Sequence, residues 1–220
     1  MESNIDWGRI VMDKLEYGKQ NAAVTLLQMV DEHDLETIDH EIALIQESTK
    51  TDFRLIACRV DNWNHDLSPW KAPAVFGKED FGDGAADTMR EIMELCRDKD
   101  GIYYIGGYSL AGLFALRTAY QTDLFRGVAA ASPSVWFPEF IDFMKAGEIK
   151  SRNIYLSLGD KEEKTRNPVM ATVGDRIREA YSLLKDQGAN CVLEWNEGNH
   201  FKDADRRTAR AFSWVMQQDI

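Results

Sequence analysis

The chain has 220 residues, 44% of them apolar and 10% aromatic, and a formal net charge of −11. That length and apolar content suffice for one sizeable core, so a single domain over residues 1–220 is expected. The acidic surface excludes nucleic acid and an anionic membrane as principal partners, because both repel it, and leaves small ligands open.

Residues 1–20, MESNIDWGRIVMDKLEYGKQ, carry charges throughout and no long apolar core. Neither a signal peptide nor a membrane span is expected from them, and the expected location is cytoplasmic. Residues 22–30 (AAVTLLQMV) form an apolar run of strand length. Residues 34–46 place Leu35, Ile38, Ile42 and Ile45 on one helical stripe. A second strand is expected over 53–60 (FRLIACRV), then a polar and aromatic loop, DNWNHDLSPWKAPAVFGKED, then a helix over 85–96. A short strand over 102–105 leads into a helix over 110–120, and strands follow at 127–131 and 154–158. A helix over 173–184, a strand over 191–195 and an amphipathic helix over 207–216, with Ala211, Phe212, Val215 and Met216 on its apolar face, close the series. Six strands alternating with helices predict an α/β fold with a mostly parallel sheet covered on both faces. Functional groups in such sheets sit beyond the carboxyl ends of the strands. Cys58, Cys96 and Cys191 are too dispersed for a disulfide framework or a zinc site, and Cys58 and Cys191 read as buried thiols.

The stretch YYIGGYSLAGLFAL puts Ser109 between the strand at 102–105 and the helix at 110–120. A serine in so tight a turn adopts a strained backbone and projects its hydroxyl above the sheet. Strand and helix then pass so closely that only small residues fit two positions to either side, here Gly107 and Ala111. The usual pattern is G-x-S-x-G; alanine keeps the smallness. A helix-capping serine is the plain alternative. No G-x-x-x-x-G-K-S/T or G-x-G-x-x-G run is present.

A serine nucleophile needs a base held by a carboxylate. His33 and His40 lie on or beside a polar helix face, and His65 sits in the long loop. His200, in NEGNHFKDADRR, directly follows the last strand and is the candidate base, with Gly198 giving the loop freedom to turn. No HxH or HExxH spacing suggests a metal. The strand at 154–158 ends in GDKEEKTRN, which offers Asp160, Glu162 and Glu163 as the carboxylate. Glu162, last of the run G-x-x-acid, is the first choice and Asp160 the alternative acid; the rest of the cluster is a solvated charge run. Leu110 N–H and a donor near Asn62 and Trp63 would bind an oxyanion. Tyr108, Trp63 and Trp136, with Trp70 less so, are candidates to line a substrate pocket.

Together, GGYSLAGLFAL, YLSLGDKEEKTRNP, VDNWNHDLSPW and EGNHF resemble the α/β-hydrolase superfamily, within it the esterase D and enterochelin esterase-like group. The likeness runs from about residue 24 onward. It implies an α/β-hydrolase fold, from which this chain departs in leaving no room for a large cap domain. It also implies a serine hydrolase cleaving small-molecule esters through an acyl-enzyme, with Ser109, His200 and Glu162 as catalytic residues and no cofactor. Two alternatives remain: an inactive hydrolase fold that serves as a binding protein, and an acyltransferase on the same site. Substrate identity and oligomeric state are left open.

Overall fold

A computed structural model of the chain describes residues 12–98 and 100–218. The expectation that the first residues hold no signal peptide lies, for residues 1–11, outside the described part. Seven strands form one sheet: β1 (Asp13–Gly18), β2 (Val24–Val30), β3 (Phe53–Arg59), β4 (Ile102–Tyr108), β5 (Phe125–Ala131), β6 (Asn153–Gly159) and β7 (Asn190–Asn196). Their order is β1-β3-β2-β4-β5-β6-β7, parallel except for β1, which runs antiparallel to β3 from Asp13↔Arg59 to Gly18↔Arg54.

The sequence reading found six strands and missed β1. Its residues DKLEYG are almost all exposed, so no apolar run announces it. Charges on an edge strand also discourage pairing with another chain. β2, by contrast, is buried at all seven positions, as a parallel strand covered on both faces must be.

The helices are α1 (Glu32–Ser48), α2 (Trp63–Asp66), α3 (Ala85–Met93), α4 (Leu110–Gln121), α5 (Phe140–Ala146), α6 (Val173–Asp186) and α7 (Ala204–Gln217). α1 begins two residues before the expected start. Asp31 caps it, accepting from Asp34 N–H at 2.9 Å while the Asp34 carboxylate accepts from Asp31 N–H at 3.1 Å. α2 and α5 are too short to show a helical period in sequence.

Strand side chains alternate between two apolar layers. Leu26, Leu55, Tyr104, Ala129 and Tyr155 pack with Ile38, Ile42 and Ile45 of α1 and with Phe212, Val215 and Met216 of α7. Leu27, Ile56, Ile105, Val128 and Leu156 pack on the other face with α4 and α6. All three cysteines are buried and unpaired, and burial pushes the Cys58 and Cys96 thiols up to about 12. Among the described residues no helix is long and apolar enough to cross a membrane.

Candidate active site

β4 turns into α4 at Ser109, whose backbone takes φ 57° and ψ −119°, in the left-handed region that L-residues other than Asn, Asp and Gly avoid. Tertiary hydrogen bonds hold it there: Ser109 N–H donates to the Ala131 carbonyl at 3.1 Å, and Ser134 N–H donates to the Ser109 carbonyl at 3.0 Å. Gly107 makes the turn sterically feasible, since a Cβ on it would stand 2.6 Å from the Ala111 Cβ.

Glu162 and His200 follow β6 and β7, two and three strands away from β4. Strands lie about 4.8 Å apart, so the loop carrying His200 must fold back across roughly 14 Å to meet Ser109. It does so. His200 Nε2 lies 2.9 Å from Ser109 Oγ, and Nδ1 lies 2.7 Å from Glu162 Oε2. The loops after β6 and β7 touch so closely that a Cβ on Gly159 would stand 2.4 Å from the Gly198 carbonyl oxygen. Lys161 N–H donates to that same carbonyl at 3.1 Å, and Asp160 N–H to the Asn196 carbonyl at 2.8 Å.

The other Glu162 oxygen, Oε1, accepts from Gly159 N–H at 2.7 Å, Ser132 Oγ–H at 2.9 Å and Arg207 Nη1 at 3.0 Å. Burial alone would raise the Glu162 carboxyl above its ordinary range. The hydrogen bond and charge of His200, with the Gly159 and Ser132 donors, outweigh it and hold the group below that range. Glu162 therefore stays ionised and acts as an acceptor toward His200.

No family model matches this sequence, and no curated protein matches it either. Among solved structures, the chain is similar to an IroE-like serine hydrolase from Shewanella oneidensis at 17% identity, covering 94% of this chain and 76% of that one, with a TM-score of 0.73. It is similar to the siderophore hydrolase EstA from Aspergillus nidulans at 19% identity, covering 100% and 99% of the two chains, with a TM-score of 0.68. A carboxylesterase from Bacillus cereus follows at 13% identity, 95% of each chain and a TM-score of 0.59. The chain has an α/β-hydrolase fold.

Within this hydrolase fold the three acids after β6 separate cleanly. The 3-10 turn Glu162–Lys164 aims Glu162 inward. Asp160 is exposed and accepts from Gly198 N–H at 2.7 Å, the bond that chiefly lowers its carboxyl, so it braces the histidine loop without reaching His200. Glu163 pairs with Arg178 at 3.1 Å. The remaining histidines stand elsewhere: His33 is exposed beside Glu36, His40 bonds Asp205 and His65 bonds Asp66.

Several of the expected site residues already have partners in the structure. Tyr108, expected to line a pocket, is buried among the residues facing α7, and its hydroxyl donates to the His200 carbonyl at 2.8 Å. Asn62 N–H is already engaged by the Asp66 carboxylate at 2.9 Å, and the Asn62 side chain caps α2 through His65 N–H. It is therefore not free to meet an oxyanion; Trp63, first residue of α2, keeps its place as a candidate. The loop after β3 is also less near than expected, because β2, not β3, is the hydrogen-bonded neighbour of β4. Trp70 serves the core, its indole N–H donating to the Pro138 carbonyl at 3.1 Å. Trp136 belongs to an aromatic cluster with Phe76, Phe81 and Phe137 and lines a cavity of about 310 Å³ with Pro138, Pro168 and Val169.

Sequence reasoning missed Arg207. It is buried in α7, where Nη1 donates to Glu162 Oε1, to Tyr108 OH at 2.9 Å and to Ser132 Oγ at 3.3 Å. Its Nη2 donates to the Glu197 and Asn199 carbonyls at 3.2 and 3.1 Å. One guanidinium thus ties the acid to the loop that carries the histidine. The sequence did hold a signal: Arg207 and Ala211 are four residues apart, so the arginine falls in the apolar register of its helix.

Proposed function

We propose that the chain is a serine hydrolase that cleaves small-molecule carboxylic esters through an acyl-enzyme. The observation that carries this reading is the continuous hydrogen-bonded line from Ser109 Oγ through His200, 2.9 Å, to Glu162, 2.7 Å, above the carboxyl ends of parallel strands. In this reading Ser109 Oγ attacks the ester carbonyl carbon, its proton passes to His200 Nε2, and the carbonyl π pair moves to the carbonyl oxygen. Leu110 N–H, in the first turn of α4 and without an intrahelical acceptor, is the first donor to that oxyanion. Collapse returns the pair to the carbonyl, expels the alkoxide and gives it the proton from His200. Water then repeats the sequence on the acyl-enzyme. Ionised Glu162 keeps the imidazole in the tautomer with hydrogen on Nδ1 and stabilises the imidazolium between the two proton transfers.

The cavity lined by Trp136, Pro138, Pro168 and Val169 is our candidate for the apolar part of the substrate. Structural neighbours named as a siderophore hydrolase and a carboxylesterase support an ester as the substrate class.

A fluorophosphonate probe tests the reading. One adduct per chain, mapped by mass to Ser109, with loss of both labelling and ester turnover in Ser109→Ala, is the expected result. Labelling at another residue, or undiminished turnover in a folded Ser109→Ala protein, overturns it.

A further inference from the structure

Ser134 lies buried in the turn that follows β5. Its N–H holds the Ser109 carbonyl at 3.0 Å, and its Oγ lies 3.3 Å from Ser109 Oγ. Either hydroxyl could donate in that second contact, and the reading of Ser109 as nucleophile gives it a direction. Glu162 Oε1 is taken by three donors and Oε2 faces Nδ1, so Nδ1 carries a ring hydrogen, and for Ser109 to pass its proton to His200 the other nitrogen, Nε2, must be the acceptor. Ser109 has one hydroxyl hydrogen, and it points along the 2.9 Å line to Nε2. In that reading the hydrogen between the two serines belongs to Ser134, and Ser109 Oγ accepts it.

We propose that Ser134 is a further catalytic residue of this centre, whose hydroxyl donates to Ser109 Oγ and stabilises the negative charge that gathers there as the Ser109 proton leaves. The proposal rests on the reading of Ser109 as nucleophile. During attack the Oγ–H bond of Ser109 breaks, its proton goes to His200 Nε2, and the Oγ–carbon bond forms; Ser134 keeps its own proton throughout. During deacylation Ser109 Oγ is the leaving oxygen and becomes electron-rich again, so the same donor acts in both halves of the cycle. The contact is made before substrate arrives and strengthens as charge gathers on Oγ, so its loss lowers kcat and kcat/KM together and leaves KM nearly unchanged. It also selects, among the staggered positions of the Ser109 side chain, the one that faces His200.

The test compares Ser134→Ala and Ser134→Thr by steady-state hydrolysis of a p-nitrophenyl ester, by the rate of fluorophosphonate inactivation and by thermal unfolding. Loss of one hydrogen bond to a developing charge should lower both kcat and the inactivation rate by about 10–100-fold, with KM and Tm nearly unchanged. Threonine keeps the hydroxyl while adding a methyl group to a buried position, so it should retain more activity than alanine. Alanine at the native rate overturns the proposal. So does the opposite order, threonine worse than alanine with a lower Tm, which is what packing alone would give. Should Ser134→Ala fail to fold, Ser134→Cys, with similar shape and a weaker donor, replaces it in the same comparison. Ser109→Ala run alongside separates the two ideas. Turnover surviving there sinks the nucleophile reading, whereas loss there beside a fully active Ser134→Ala sinks only the role of Ser134.

Discussion

Replacing Arg207 by methionine removes a buried charge while keeping most of the side-chain volume. The side chains of Arg207 and Glu162 are 2% and 4% exposed, and their ion pair spans 3.0 Å. Removing one partner of such a pair strands the other and costs about 3–5 kcal/mol. For a chain of this size each kcal/mol corresponds to about 2–4 °C, so Tm should fall by roughly 6–20 °C at pH 7. Ester turnover should fall as well, because the Glu197 and Asn199 carbonyls lose the donor that anchors the loop carrying His200. A displacement of about 1 Å at a reacting group lowers rate by about 10²-fold. The pH dependence separates charge from packing. Glu162 has a depressed carboxyl in the folded protein, so its contribution to stability is present above its ordinary value of 4.5 and disappears as pH falls through the lower folded value. Protonating Glu162 breaks its ion pair with Arg207 in the native protein too, so the difference in Tm between native protein and Arg207→Met should be widest near neutrality and narrow in acid. Calorimetry of both proteins between neutral and acidic pH, with Glu162→Gln/Arg207→Met as the double mutant, is the measurement. The double mutant should lose less than the sum of the two singles. A Tm unchanged by Arg207→Met, or a deficit equally large in acid, would refute the reasoning.

Ser109→Gly should remove activity and yet raise Tm, because glycine adopts φ 57° freely and releases backbone strain of about 1–3 kcal/mol; a lower Tm by calorimetry would contradict the strained turn. Glu162→Gln should reduce kcat by about 10³–10⁴-fold, while Asp160→Asn, which touches only Gly198 N–H, should stay within a few fold of native in the same ester assay. Glu41, buried against Gln28, has a carboxyl pushed well above its ordinary 4.5, chiefly by burial. A raised folded value means that ionisation opposes folding as pH rises above 4.5. Glu41→Gln should therefore raise Tm at pH 7–8 and leave it unchanged near pH 4, as followed by circular dichroism melting.

Periodicity made most of the fold legible, and it failed where period and burial part company. β2 and α4 are apolar because two layers cover them, so composition reveals them. β1 is polar because it borders solvent, and nothing in DKLEYG separates it from a loop. Ser109 was legible because a strand, glycines and a helix of small residues must meet at such a turn. His200 was legible because only one histidine follows the last strand. The run G-x-x-acid ranked Glu162 first and Asp160 second, but the inward aim of Glu162 comes from the 3-10 turn Glu162–Lys164, which no spacing announces. Placing an oxyanion donor near Asn62 required the strand order, in which β3 is one place further from β4 than β2, and no spacing encodes that. The partner of Ser134 was equally hidden, because Ser109 and Ser134 meet only through adjacent strand ends.

The brace around Arg207 also dictates when the centre comes into being. Ser109 is translated 91 residues ahead of His200, and the guanidinium that fastens the histidine's loop emerges later still. A growing polypeptide can thus complete its inner strands while the hydroxyl at the elbow has no base beside it. Under the proposed function, the line from Ser109 through His200 to Glu162 closes only once the final helix lies over the sheet, so an unfinished copy is expected to turn over no ester.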